Sequence, residues 1–133
     1  MATIIKTWDA AVVLHQTVNY GGSAAVLAAD GDYDYSSDVD LESAGNQGAQ
    51  VLVEFTGNND IDDLIVDVFA SLDGTTYDTE PFISRTIKNK GKRQAISFLV
   101  EGLAHFRLGL RSFSTNTSFK YQITQQIWIL TNA

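Results

Sequence analysis

Apolar and polar residues alternate with a period of two along much of this 133-residue chain. That is the pattern of strands with one face on a core and the other in water. In "VLVEFT", Val51, Val53 and Phe55 share a face. In "LIVDVFASL", Leu64, Val66, Val68, Ala70 and Leu72 share a face, with Asp67 and Ser71 opposite. In "AHFRLGLRSF", Ala104, Phe106, Leu108 and Leu110 point one way, and His105, Arg107 and Arg111 the other. In "FKYQITQQIWIL", Phe119, Tyr121, Ile123, Ile127 and Ile129 alternate with Lys120, Gln122, Thr124 and Gln126. Further strands are expected at 3–8, 24–29, 37–42, 81–87 and 94–100. Residues 10–18 fit a strand or a short helix and are read as a strand.

Turn residues separate these runs. "AGNQG", "TGNND", "LDGTTYD", "NKGK" and "STNTS" carry the Gly, Asn and Asp that turns use. Asp73-Gly74 is the strongest hairpin cue, because Gly tolerates positive φ. Eight or nine short strands with turns every eight to twelve residues predict an all-β antiparallel β-sandwich, with the jelly roll as its expected form. Residues 1–133 are read as one such domain, large enough to bury a sizeable core. The last strand breaks its own alternation. Trp128 and Leu130 fall on the face of Lys120, Gln122 and Gln126. Either a bulge or covering loop buries them, or they form an apolar patch used for association. Trp8 raises the same choice.

Charge sharpens the picture through its distribution. Residues 1–84 carry 15 of the 16 acids and one base, Lys6, a net of 1 − 15 = −14. Residues 85–133 carry eight bases and one acid, Glu101, a net of 8 − 1 = +7. Both halves are strand-like and no linker divides them, so opposite charges are expected to meet across strands or across subunits. The overall charge of −7 argues against general affinity for nucleic acid or anionic lipid. There is no run of 18 apolar residues and no basic-then-apolar start, so neither a membrane span nor a signal peptide is expected. Cysteine is absent, which excludes disulfides, thiolate metal sites and cysteine nucleophiles.

Candidate chemistry concentrates in "DGDYDYSSDVDLE", with six acids in residues 30–42. Counted as a calcium loop, Asp30, Asp32 and Asp34 occupy positions 1, 3 and 5, but position 6 is Tyr35 rather than Gly and position 12 is Leu41. Calcium at Asp30, Asp32 and Asp34 is one reading. The other is an acidic strand edge, since Asp38, Asp40 and Glu42 alternate with Val39 and Leu41. "NNDIDD" at 58–63 is a second acidic cluster, read as a solvated turn. His15 and His105 lack partners at zinc-ligand spacing. No nucleophile elbow, phosphate loop or selected carboxylate pair is present, so the chain is read as no enzyme. The basic run "RTIKNKGKRQ" holds Arg85, Lys88, Lys90, Lys92 and Arg93 without interleaved aromatics, which suits docking on an acidic surface better than stacking on nucleic acid.

"VDVFASLDGTTYDTEPF" followed by "ISFLVEGLAHFRLGLRS" resembles small β-sandwich structural proteins of tailed bacteriophage particles. In these, a strand enters a Ser-x-Asp-Gly-Thr-x-Tyr-Asp turn and a later strand ends in a pattern like "FRLGLRS". The resemblance covers about half of the chain. It implies a virion structural protein made in the bacterial host cytoplasm: a capsid decoration or cement protein, or a neck or tail accessory. It also implies a homo-oligomer, with a trimer favoured, docked on the major capsid or another virion protein. No catalytic residue carries over. Interface candidates are Trp8, Arg85, Lys88, Lys90, Lys92, Arg93, Arg107, Arg111, Trp128 and Leu130. The alternative is a carbohydrate-binding module, with Tyr33, Tyr35 and Tyr77 as glycan contacts, Trp128 as a further ring, and polar support from Asp34, Asp78 and Asn116. No cofactor is expected apart from the calcium reading.

Overall fold

In the computed structural model, the described residues are 4–8, 12–16, 33–43, 46–56, 63–88, 92, 94–112 and 120–132. They form strands without a helix: β1 Ile4–Trp8, β2 Val12–Gln16, β3 Asp34–Tyr35, β4 Val39–Asp40, β5 Asn46–Thr56, β6 Leu64–Ser71, β7 Ile83–Ile87, β8 Gln94–Glu101, β9 His105–Arg111 and β10 Lys120–Asn132. Eight of these segments have five residues or more; β3 and β4 have two each. The ambiguous 10–18 stretch contains a strand. The expected strand at 24–29 lies outside the described residues.

Two antiparallel sheets pair in the same way. In the first, the order is β1-β10-β5-β8, with β2 also on β10. In the second, it is β3-β9-β6-β7, with β4 also on β9. Each sheet therefore has a strand whose one edge is shared by two short segments laid end to end. β10 pairs with β1 at residues 128–132 and with β2 at residues 122–125. β9 pairs with β3 at Gly109 and Leu110, and with β4 at His105 and Phe106. Ser36 bridges the gap between β3 and β4. Its N–H donates to the Leu108 carbonyl at 2.8 Å, and its hydroxyl oxygen accepts from the Leu108 N–H at 2.9 Å. A side chain thus replaces a missing ladder acceptor.

The inward residues of both sheets close a common core. Val51, Val53 and Phe55 of β5 meet Leu64, Val66 and Val68 of β6, and Phe106, Leu108 and Leu110 of β9, all fully buried. This is the face-to-face packing of a β-sandwich. Val39 and Leu41 join the same core, leaving Asp38, Asp40 and Glu42 outward. The two acid-rich and base-rich halves of the chain do interleave: β5 and β6 lie beside β8, β9 and β10 from the second half.

Two expectations from the alternation are corrected. The face of β6 opposite the core is not wet: Asp67, Phe69 and Ser71 are buried. Leu72 is not on the inner face but is 86% exposed, because the strand ends at Ser71. The Ser71 hydroxyl oxygen accepts from the Gly74 N–H at 2.9 Å, and the Asp73 carboxylate accepts from the Thr75 and Thr76 N–H groups at 2.9 and 2.8 Å. These local bonds take the chain out of the ladder. Gly74 has φ of 77°, the left-handed region that glycine tolerates. Tyr77 then bridges back to Ser71, and Asp78 and Phe82 donate to Ala70 and Val68, so Asp73-Gly74 begins a broad pinned loop rather than a two-residue hairpin.

Candidate interaction surfaces

The outer face of the second sheet carries a cluster that four separate segments assemble. Alternation along β9 places His105, Arg107, Gly109 and Arg111 on it. Register sets Gly109 between Asp67 of β6 and Tyr35 of β3. A Cβ at Gly109 would lie 2.7 Å from Tyr33 Cδ1 and 3.0 Å from Phe69 Cε2, so the rings settle where this strand has no side chain. Tyr33 and Tyr35 stack with centroids 5.4 Å apart, and Tyr33 meets Phe69 edge-on at 5.2 Å.

Arginines extend that stack. The Arg107 guanidinium lies 3.8 Å from the Tyr35 centroid and 4.1 Å from that of Tyr77. Arg111 lies 4.8 Å from the Tyr33 centroid. Tyr77, Arg107, Tyr35, Tyr33 and Arg111 therefore stand in one row, held by ring quadrupoles facing cations and by the Tyr35–Tyr33 stack. Beneath it, Asp67 is fully buried and accepts from the Tyr33 hydroxyl at 2.5 Å and from the Ser84 hydroxyl. Arg111 Nε stands 3.6 Å from the same carboxylate. Burial, then the Asp67 hydrogen bond, push the Tyr33 pKa up to about 12.

One end of the row is acidic. His105 Nδ1 is 2.8 Å from Asp38, and Nε2 is 3.1 Å from Glu42 and 3.9 Å from Asp40. The Asp38 hydrogen bond raises the imidazole pKa above its ordinary value against a smaller effect of burial, with Glu42 and Asp40 adding to the rise. The Tyr77 hydroxyl donates to Asp38 at 2.5 Å and to the Gly74 carbonyl at 3.0 Å. Burial and the Asp38 bond raise its pKa as well. Asp40 also accepts from the Glu42 and Ser43 N–H groups, so the Ser43 hydroxyl and these amides hold its pKa below the usual value. The carboxylates of this edge converge on the imidazole. Among the described residues, no group of three acids or histidines has the arrangement of a metal site. Asp34 is described in β3; Asp30 and Asp32 of the calcium reading lie outside the described residues.

The outer face of the first sheet is different in kind. Gln50, Leu52 and Glu54 of β5, Ala95, Ser97 and Leu99 of β8, and Thr124 and Gln126 of β10 alternate with the core positions. Leu99 is 41% exposed, and Trp8 on β1 is 40% exposed. Trp8 and Trp128 are Cα partners in the β1–β10 ladder, and Leu130 is opposite Lys6. Where β10 meets β5, the register shifts between Trp128 and Ile129, which is the irregularity expected of a bulge. The side chains of Trp128 and Leu130 lie outside the description.

A third surface is a cleft of about 430 Å³ between the edge strands β7 and β8. Arg85, Thr86, Ile87 and Lys88 line one side, and Gln94, Ile96, Ser97 and Phe98 the other. Arg85 occupies an inward position between Ile83 and Ile87, opposite Val66, where the sandwich mouth stays open. Of the predicted basic docking run, Arg85, Lys88 and Lys92 are described and exposed; Lys90 and Arg93, like Asn116 of the glycan reading, lie outside the described residues. Arg107 and Arg111 belong to the tyrosine row instead. The structure thus brings Tyr33, Tyr35 and Tyr77 together with Arg107 and Arg111, and leaves Trp8, Arg85 and Lys88 elsewhere. Sequence reasoning missed Asp67, Phe69, Ser84 and Gly109 as parts of this cluster. Gly109 inside a strand, flanked two residues away by arginines, is the mark that could have found it.

No family model and no curated protein matches the chain. Among solved structures, that of infectious bursal disease virus, Gt strain, aligns with a TM-score of 0.55 at 10% identity, over 95% of this chain and 32% of that one. The CBM22-1–GH10 modules of Clostridium thermocellum xylanase 10B, complexed with xylohexaose, align with a TM-score of 0.53 at 15% identity, over 76% of this chain and 20% of theirs. A family two carbohydrate esterase from Cellvibrio japonicus aligns with a TM-score of 0.52 at 13% identity, over 96% and 34%. At these identities the likeness is one of fold: the chain is an antiparallel β-sandwich similar to sandwiches in a virus and in carbohydrate-active proteins.

Proposed function

We propose that this chain is a non-enzymatic structural protein of a bacteriophage virion, a capsid decoration or cement protein that self-associates and docks on the particle. The observation that carries the reading is the occupation of the tyrosine rings. Arg107 covers faces of Tyr35 and Tyr77, Arg111 covers Tyr33, and Tyr33 covers Tyr35. The row is a brace across one sheet whose ring faces are already covered, rather than an open stacking platform. Beyond the row, exposed apolar groups sit on the first sheet, at Trp8 and Leu99, and on a loop, at Leu72 and Phe82. Such surfaces suit association between folded partners. Strand order supports the jelly-roll form of the sandwich: with β1/β2 and β3/β4 each counted as one edge, successive strands cross between the sheets except at the β6–β7 pair.

A carbohydrate-binding module is the second reading. The convergence of Tyr33, Tyr35 and Tyr77 on one sheet face favours it, with Tyr35 38% exposed. Native mass spectrometry of the purified chain, with and without calcium, tests the first reading. A discrete closed oligomer supports it; a monomer at every concentration counts against self-association, and adducts at micromolar calcium would assign a cation to the acidic edge. A glycan array tests the second. Reproducible binding abolished by Tyr33→Ala would establish the module and displace the structural reading.

A further inference from the structure

The cleft between β7 and β8 and the β6–β7 loop are complementary in both charge and polarity: the loop leads into the start of β7, and the cleft is lined by its second half. The cleft floor is apolar: Ile87 is buried, and Ile96 and Phe98 point inward but stay half-buried, with no strand among the described residues closing the mouth. Its rim is cationic, from Arg85 and Lys88, both exposed. The loop that leads into β7 carries two large side chains into solvent, Leu72 at 86% exposure and Phe82 at 55%. Residues 72–82 hold three acids, Asp73, Asp78 and Glu80, and no base.

The loop is also held in shape. Asp73 and Ser71 fix its first turn, and the Asp78 and Phe82 N–H groups are bonded to β6 carbonyls. A knob fixed before binding loses little freedom when it docks. β7 runs extended from the loop into the cleft lining, so Phe82 lies about 10 Å from Arg85 and about 17 Å from Ile87 at about 3.3 Å per residue. The loop therefore does not fill its own cleft.

We infer that loop 72–82 of one copy seats Leu72 and Phe82 in the β7–β8 cleft of the next copy, with Asp78 and Glu80 against Arg85 and Lys88. The inference rests on the self-associating reading above and specifies its interface. Two unlike patches make a heterologous contact, which closes into a ring or propagates as a filament. Arg85 at an inward position of an edge strand then has a partner. Within a single copy, a charge there serves to discourage stray strand pairing.

The test uses two exposed variants and their mixture. Phe82→Ser disables the knob, and Arg85→Glu with Lys88→Glu disables the cleft rim. Each is followed by sedimentation and native mass spectrometry beside the wild type, with thermal melts to verify folding. Each variant alone is expected to lose association by about tenfold or more, as central anchors do. The mixture is expected to recover a 1:1 pair that grows no further, because the cleft variant keeps its knob and the knob variant keeps its cleft. Wild-type oligomers that both variants match would overturn this contact and leave self-association standing. Folded variants that dissociate but give no heterodimer on mixing would overturn the head-to-tail arrangement. A wild type that stays monomeric at all concentrations would overturn both the contact and the self-associating reading.

Discussion

The two outer faces of the sandwich solve the same geometric problem with opposite chemistry. Both are the backs of four-strand-wide antiparallel sheets over a shared core. The back of the second sheet is a knit layer of tyrosine, arginine and buried carboxylate, with Asp67 at zero exposure beneath it. On the back of the first sheet, the described charged side chains are Glu54 and Glu101, and beside them stand amides, hydroxyls, aliphatics such as Leu52 and Leu99, and Trp8. One face spends its polar groups on itself. The other has no such row of cation-covered rings among the described residues, and the difference shows that alternation alone does not separate a wetted back from a third packed layer.

Substitutions can break that contrast, beginning with the largest expected effect. Asp67→Ala removes the acceptor for two hydroxyls and the anion beside Arg111. It is expected to lower unfolding free energy by about 1.5–3 kcal/mol in urea titrations, the cost of losing bonds to a buried charge. Gly109→Ala brings a methyl group to 2.7 Å from Tyr33. The expected loss is about 1–2 kcal/mol, with the near-ultraviolet tyrosine signal altered, because the rings must yield. An unchanged melt for either variant would mean that the layer packs without contributing to stability.

Acidity probes the same layer more gently. The folded-state pKa of His105 lies above its ordinary 6.5 through Asp38, Glu42 and Asp40. Its contribution is therefore complete below about 6.5 and lost as pH rises through the higher folded value. The melting temperature is expected to decline over that window, and His105→Gln to flatten the decline; an equal slope in both proteins would remove the imidazole from the account. The smallest effect belongs to the first face. Leu99→Ser is expected to change stability by about 0.5 kcal/mol or less, as exposed sites do. A loss comparable to that of Asp67→Ala would show that this face is packed after all.

The inner faces were legible in the sequence because each strand reports its own burial. Val51, Val53 and Phe55, or Phe106, Leu108 and Leu110, need no knowledge of their partners to be recognised as core. The outer layer needs partners. Asp67 reads as wet until Tyr33 is carried across β9 from more than thirty positions earlier and Ser84 arrives from β7. Leu72 failed for a local reason: the Ser71 and Asp73 side chains capture the backbone one residue before the alternation runs out. The docking run was half legible. Its charges were visible, but that Arg85 lines an open mouth while Arg107 lies between two tyrosines depends on sheet order.

β10 joins the far ends of the chain: Ile4 pairs with Asn132 and Trp8 with Trp128, while β5 occupies its other edge. During synthesis, the second sheet has all its described strands once β9 emerges, whereas β1 and β2 wait without their ladder partner until β10 follows. Closing so long a loop slows folding. Every nascent copy thus passes through a stage with an unpaired β5 edge, and crowded translation of this message exposes that edge to the neighbouring chains.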